Sequence, residues 1–280
     1  MEIEKNISLA KFTTLQVGGV ADFFARVCST EELKKALEFA RKKKLPVFIF
    51  GGGSNLLFSD AGFRGLVIKN EIGGVEFKKN SVVAGGGVPL AVIVAECARR
   101  GLKNLENFAG IPGTVGGAVI GNANGIGDKI LRIRVLNADG ETVILSREDL
   151  EFNYRQSALQ DAKSFLVEAE FTLEKTEEDL QQKVAELARE KFTKHPFEKT
   201  AGSWFKNPEG KQAWKLIDAA GCRGLQIGGA RVSNRHANFF ENADGATSSD
   251  FLELEKKVVE KVFKKFGVRL EREVIVVFEN

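Results

Sequence analysis

Cysteine is scarce, and no two cysteines stand at metal-ligand spacing. The chain holds only Cys28, Cys97 and Cys222, an odd count that fits buried thiols in a reducing compartment. Histidine is limited to His195 and His236, and tyrosine to Tyr154. A surplus of one charge is also missing. Against 41 basic residues stand 38 acidic ones, and the net charge of +3 leaves no electrostatic footprint for nucleic acid. The one basic run, Arg41 to Lys44, closes an amphipathic helix, where it suits the helix dipole. No apolar run approaches the roughly 20 residues of a membrane span; the longest lies around Pro89 to Ala95. The opening Met1-Glu2-Ile3-Glu4-Lys5 has no basic start and no apolar stretch, so no secretory signal is expected. Cytoplasm is the expected compartment. No internal repeat, coiled coil or low-complexity tract is present.

What is there suits a globular protein of two domains, or three small ones, over 280 residues. Ser29-Thr30-Glu31-Glu32 resembles a capping box and predicts a helix to about Lys43, with Leu33, Leu37 and Ala40 on one face. After Pro46, Val47 to Phe50 reads as a buried strand. Short strands are expected at Gly65 to Lys69, Gly74 to Lys78 and Ser81 to Ala84. A helix follows from about Pro89 to Arg100, ending at Gly101. From Leu105 to Asp128 the chain is rich in Gly, Asn and Pro with few strong helix formers, and an irregular path is expected over Gly110 to Gly117. Strands at Ile133 to Asn137 and Thr142 to Leu145 are joined by Ala138-Asp139-Gly140-Glu141, a hairpin signal. A strand from Phe165 to Glu174 precedes helices at about Thr176 to Lys194, Gln212 to Ala220 and Ser249 to Phe266. Val274 to Phe278 closes as a strand. The class is α+β, with a boundary near His195 to Ala201.

Three groups of residues could carry chemistry. Gly51-Gly52-Gly53-Ser54-Asn55 follows the buried strand. Glycines admit close backbone approach and positive φ, and successive N–H groups can nest a pyrophosphate. A plain tight turn is the competing reading. The segment lacks both the P-loop ending and the Rossmann spacing. Gly110-Ile111-Pro112-Gly113-Thr114-Val115-Gly116-Gly117 is a second glycine-rich loop, either an ordinary surface loop or the other half of a cradle for one extended cofactor. The third group is Tyr154 to Ser157, Gly202 to Pro208, and Leu270 to Val274. Singly, each has a dull reading: a surface Arg155, a turn cap at Ser203, a solvated Glu273.

Taken in order, these segments resemble the UDP-N-acetylenolpyruvoylglucosamine reductase family. Thr13 to Gly19, Gly51 to Leu57, Ala109 to Gly117, Tyr154 to Ser157, Gly202 to Pro208, Val232 to Asn238 and Leu270 to Val274 match its motifs from about Phe12 to Phe278. The resemblance implies a vanillyl-alcohol-oxidase type α+β FAD-binding fold in two lobes, with a smaller α+β substrate-binding domain. The lobes would be 1–70 with the strand 274–280, then 71–198; the substrate domain would be 199–273. It implies noncovalent FAD, held by Gly51, Gly52, Gly53, Ser54, Asn55, Gly110, Ile111, Pro112, Gly113, Thr114, Gly116 and Gly117, with NADPH as co-substrate. Arg155, Ser203 and Glu273 would be catalytic, and Lys194, Asn207 and His236 would contact a UDP-sugar. No metal, membrane or nucleic acid is implied, and a monomer is expected.

The sequence departs from some members. With one tyrosine, it resembles the branch lacking a lid tyrosine, and Ile126 stands at the place near the flavin loop. Asn122-Ala123-Asn124-Gly125 replaces the usual Asn-Ala-Gly-Ala. Two rivals remain at this point: another flavin oxidase on the same scaffold, and a non-catalytic nucleotide-binding module. The first often tethers its flavin through His or Cys. Neither residue type occurs in the two glycine-rich loops.

Overall fold

The computed structural model describes residues 1–137, 139–160, 164–196 and 198–278. Ala138 of the expected hairpin turn lies outside them, as do Glu279 and Asn280 of the last lobe segment. The chain divides into two compact units. The first is Met1–Glu4, Phe23–Gly52 and Gly65–Lys191; the second is Lys5–Asp22, Gly53–Arg64 and Phe192–Asn280.

The helices are α1 (Thr30–Lys43), α2 (Leu90–Arg99), α3 (Val115–Ile120), α4 (Leu180–Lys194), α5 (Ala213–Ala219) and α6 (Ser248–Phe266). At the start of α1, Ser29 Oγ accepts from the Glu32 N–H at 3.2 Å. The Glu32 carboxylate turns to the Cys28 N–H at 2.8 Å, one residue earlier than a reciprocal capping box would place it.

In the first unit, α1 lays Leu33, Ala36 and Ala40 on Ala25, Val27, Leu66 and Ile68. The strands beneath belong to a sheet ordered Ile3–Ser8, Val20–Val27, Phe63–Asn70, Val47–Phe50. Its last pair is parallel, with Val47 opposite Leu66. A second sheet, ordered Thr142–Ser146, Ile130–Leu136, Phe165–Thr172, Ser81–Gly85, Val75–Phe77, is antiparallel throughout. Against it α2 buries Ile93, Val94 and Cys97. Burial pushes the Cys97 thiol up to about 12, so it packs as an inert apolar group. Cys222 is buried too, but Cys28 is exposed, which corrects the expectation of three buried thiols.

The second unit has its own core. A sheet ordered Thr200–Ser203, Phe239–Asn242, Ala230–Val232, Gln226–Ile227 packs with Phe251, Leu254, Val258 and Val262 of α6. Leu15, Val17 and Leu57, from far earlier in the chain, are buried in the same cluster. Ile275–Val277 runs parallel to Leu56–Phe58.

Leu56–Phe58 and the four strands of the second unit's sheet went unexpected, and so did a further pair, Ile3–Ser8 and Val20–Val27. The first of that pair is a largely polar edge strand, and the second carries Ala, Asp and Arg, which blur any period-2 pattern. The strand expected through Glu174 stops at Thr172, and Glu174–Lys175 pairs instead with Leu102–Lys103. Among the described residues no helix is long and apolar enough to cross a membrane.

Candidate active site

In the first unit Gly51 and Gly52, the start of the first glycine-rich loop, meet the second loop. A Cβ at Gly51 would collide with Thr114 Oγ1, and one at Gly52 would stand 3.0 Å from Gly113 Cα. Another at Gly116 would lie 2.9 Å from the Gly86 carbonyl oxygen. Side chains are therefore excluded where the loops touch, while Gly52 and Gly117 stay exposed. Gly53 has φ +66, and a Cβ there would strike the Phe12 carbonyl oxygen. Its own carbonyl accepts from the Thr14 N–H at 3.1 Å, in the Thr13 to Gly19 segment. Backbone left without side chains at the exposed Gly52 and Gly117 is chemistry that suits the diphosphate of a dinucleotide.

The second loop is only half irregular, which corrects the expectation for Gly110 to Gly117. Thr114 Oγ1 accepts from the Gly117 N–H at 3.4 Å and starts α3. The Val115 and Gly116 N–H groups are fixed by the Val88 and Gly86 carbonyls at 2.9 and 2.8 Å. Gly110 and Gly113, at φ +70 and +109, make the preceding turn. Lys191 of α4 grips this loop, its ammonium donating to the Ala109 carbonyl at 2.6 Å and the Asn107 carbonyl at 3.4 Å. Burial draws the Lys191 pKa down. Asn122, Asn124 and Gly125 all take positive φ, a conformation that Asn and Gly tolerate best. Ile126 is a fully buried core residue.

Arg155 lies in the first unit at a tight turn. Asn153 and Gln156 exchange backbone hydrogen bonds at 3.0 and 3.1 Å around Tyr154 and Arg155. Ser157 Oγ ties the exit to the Ile120 carbonyl at 2.7 Å. Arg155 sits at φ +57, a conformation that costs a non-glycine residue about 1–2 kcal/mol and persists where surrounding bonds impose it.

Ser203 and Glu273 lie in the second unit on adjacent backbone. Phe205 and Arg272 form an antiparallel bridge. The Glu273 N–H donates to the Trp204 carbonyl at 2.8 Å, and the Lys206 N–H to the Glu271 carbonyl at 2.8 Å. Both side chains are half-buried. Asn238 locks the serine segment from the other side. Its amide exchanges bonds with the Phe205 backbone at 3.0 and 2.8 Å, and its carbonyl accepts from the Trp204 N–H at 2.7 Å. Sequence reasoning missed Asn238 and Lys191 as anchors. Both act on backbone that lies far off in sequence, so no local pattern marks them.

Lys194, Asn207 and His236 are also in the second unit. Lys194 is exposed at the end of α4. Asn207 is exposed, and its Oδ1 accepts from the Ala213 N–H at 2.9 Å, at the start of α5. His236 sits among rings: His195 edge-on at 4.9 Å, Phe239 at 4.9 Å and Trp214 at 5.9 Å. Its Nδ1 accepts from the Asn238 N–H at 3.3 Å. Burial, then the charges of His195 and Arg223, lower its pKa to about 4, so the ring is neutral near pH 7.

A family model described as the C-terminal domain of UDP-N-acetylenolpyruvoylglucosamine reductase matches residues 194–277, and one for an FAD binding domain matches 21–146. A UDP-N-acetylenolpyruvoylglucosamine reductase of Lachnoclostridium phytofermentans is 41% identical over 287 residues, covering 98% of this chain and 93% of the relative. The chain belongs to the UDP-N-acetylenolpyruvoylglucosamine reductase family. A reductase of the same name from Clostridium botulinum strain Okra is 39% identical over 97% of this chain and 91% of its own. The crystal structure of the Thermus caldophilus reductase superposes with a TM-score of 0.85 at 35% identity, covering 99% of both chains. As a reductase of this family the protein is an FAD-dependent oxidoreductase of α+β fold, and NADPH is the family's reductant. Residues 21–146, the span that matches the FAD binding domain family, hold both glycine-rich loops.

Proposed function

We propose that this reductase converts UDP-N-acetylglucosamine enolpyruvate to UDP-N-acetylmuramate with NADPH, a step of peptidoglycan precursor synthesis. The observation that carries the reading is 39–41% identity to reductases of that name over 97–98% of the chain. Bound FAD would supply the hydride chemistry that links NADPH to the terminal carbon of the enolpyruvyl group. The glycine loops at 51–55 and 110–117 hold that cofactor without a covalent link; the segments carry no His or Cys to tether it.

Negative charge then grows on the neighbouring carbon and spreads into the substrate carboxylate. Arg155 meets it, because guanidinium pairs with carboxylate in two parallel bonds and stays charged. Glu273, as the protonated acid, donates a hydrogen bond to the same charge. Ser203 delivers the proton that quenches it, fed by a water or polar relay, since a hydroxyl is a weak acid. Lys194, Asn207 and His236 contact the diphosphate and sugar. In this division of labour 1–70 with 274–280 and 71–198 serve the cofactor and 199–273 serves the substrate, although 5–22 and 53–64 pack with the second unit. The near-neutral net charge of +3 supports a protein that works without nucleic acid, and we read it as a cytoplasmic monomer.

Anaerobic reduction by NADPH followed by addition of the enolpyruvyl substrate tests the reading. Ser203→Ala is expected to leave flavin reduction intact and to slow reoxidation by roughly 10²–10⁴-fold. Unchanged reoxidation rejects the serine's role. Acid denaturation is expected to release FAD to the supernatant; flavin in the pellet means a covalent link.

A further inference from the structure

We propose that Glu255 of α6 is a positioning residue that holds Ser203 and Glu273 in register. The inference rests on the catalytic roles proposed for those two residues. The Glu255 side chain is largely buried, 14% exposed. One of its oxygens, Oε2, accepts two bonds: from the Trp204 indole N–H at 2.9 Å and from Arg272 Nε at 2.6 Å. Trp204 directly follows Ser203, and Arg272 directly precedes Glu273. A single carboxylate oxygen thus ties together the neighbours of the proposed proton donor, Ser203, and of the proposed hydrogen-bond donor, Glu273.

The surroundings make this tie decisive for orientation. Trp204 is fully buried and stacked on Phe240 at 4.6 Å and Phe251 at 5.2 Å, with interplanar angles of 19° and 10°. Parallel stacking fixes the plane of the indole but leaves it able to slide within that plane. The bond to Glu255 selects one placement. The backbone ladder between Trp204 and Glu273 carries that placement to the facing segment. Arg272 brings a positive charge to the same oxygen, so the carboxylate is compensated where water is scarce. An apolar residue at position 255 would leave a buried indole donor and a guanidinium without this acceptor. The aromatic core would survive such a change, whereas the register of the 203 and 273 segments would loosen. Small misplacements of reacting groups slow chemistry far more than they weaken binding.

The test compares Glu255→Leu, Glu255→Gln, Trp204→Phe and Ser203→Ala as flavin-loaded enzymes, with the two half-reactions followed separately. Glu255→Leu is expected to be reduced by NADPH at the wild-type rate and reoxidised by the enolpyruvyl substrate about 100-fold more slowly. The loss should fall on kcat rather than KM. Glu255→Gln keeps an oxygen acceptor for both donors and should recover most of the rate. Trp204→Phe keeps the stack, removes one donor and should show a smaller loss in the same step. It decides the matter if Glu255→Leu does not fold. Wild-type reoxidation in Glu255→Leu, beside slow Ser203→Ala, overturns the positioning role alone. Equal loss of both half-reactions also overturns it, because the residue then acts on stability only. Normal reoxidation in Ser203→Ala overturns the serine's role and the inference with it.

Discussion

At Gly51 and Gly53 the identity of one residue decides whether the loop proposed to hold the cofactor can form. A methyl at 51 must displace Thr114 Oγ1, which caps α3; a methyl at 53 meets a backbone carbonyl in a left-handed conformation. Overpacking of this kind costs about 1–3 kcal/mol. Gly51→Ala is therefore expected to weaken FAD binding by roughly 10–100-fold, read from the Kd by fluorescence titration. His236 sets a pH dependence. Its pKa falls from 6.5 to about 4 on folding, so between those values the unfolded chain binds more protons. Its stabilising contribution is complete above about pH 6.5 and is lost as pH falls towards 4. In that window the melting temperature of the wild type should drop more steeply than that of His236→Gln. Glycines announce themselves in sequence because only they fit such approaches. Asn238 does not, since its partner Phe205 stands 33 residues away and an amide side chain suits many sites.

Elements with strong local signals were legible. In α6 the spacing of Phe251, Leu254, Val258, Val262 and Phe266 predicts one apolar face; the first four are buried, Phe266 is half-buried, and Gly267 ends the helix at φ +67. Thr247 and Asp250 close a capping box at its start. Thr247→Ala should cost about 1 kcal/mol and lower the melting temperature by about 2–4 °C, with flavin content unchanged. Strands were read less well. Val20–Val27 is built from mixed polar and apolar residues, and its pairing is settled by neighbours distant in sequence. The short α3 was hidden because Gly116 and Gly117 argue against a helix, while the Thr114 cap and the Gly86 and Val88 carbonyls hold its first turn.

At the scale of the whole molecule, the family and both loops were readable because the motifs occur in order, whereas the make-up of the compact units was not. A boundary near residue 195 divides the chain once, but three segments serve each unit, so the chain changes unit five times. Periodicity carries no information about which early segment joins a late core. A fragment of residues 192–280 lacks Leu15, Val17 and Leu57 of its own core and the strand Leu56–Phe58. It is expected to show little helix by circular dichroism and to unfold without a cooperative transition. The same threading governs how the protein can be recombined. Exchanging the C-terminal part with a relative as one cassette would marry foreign packing partners to the resident 5–22 and 53–64 segments. A viable chimera must transplant those two stretches along with it.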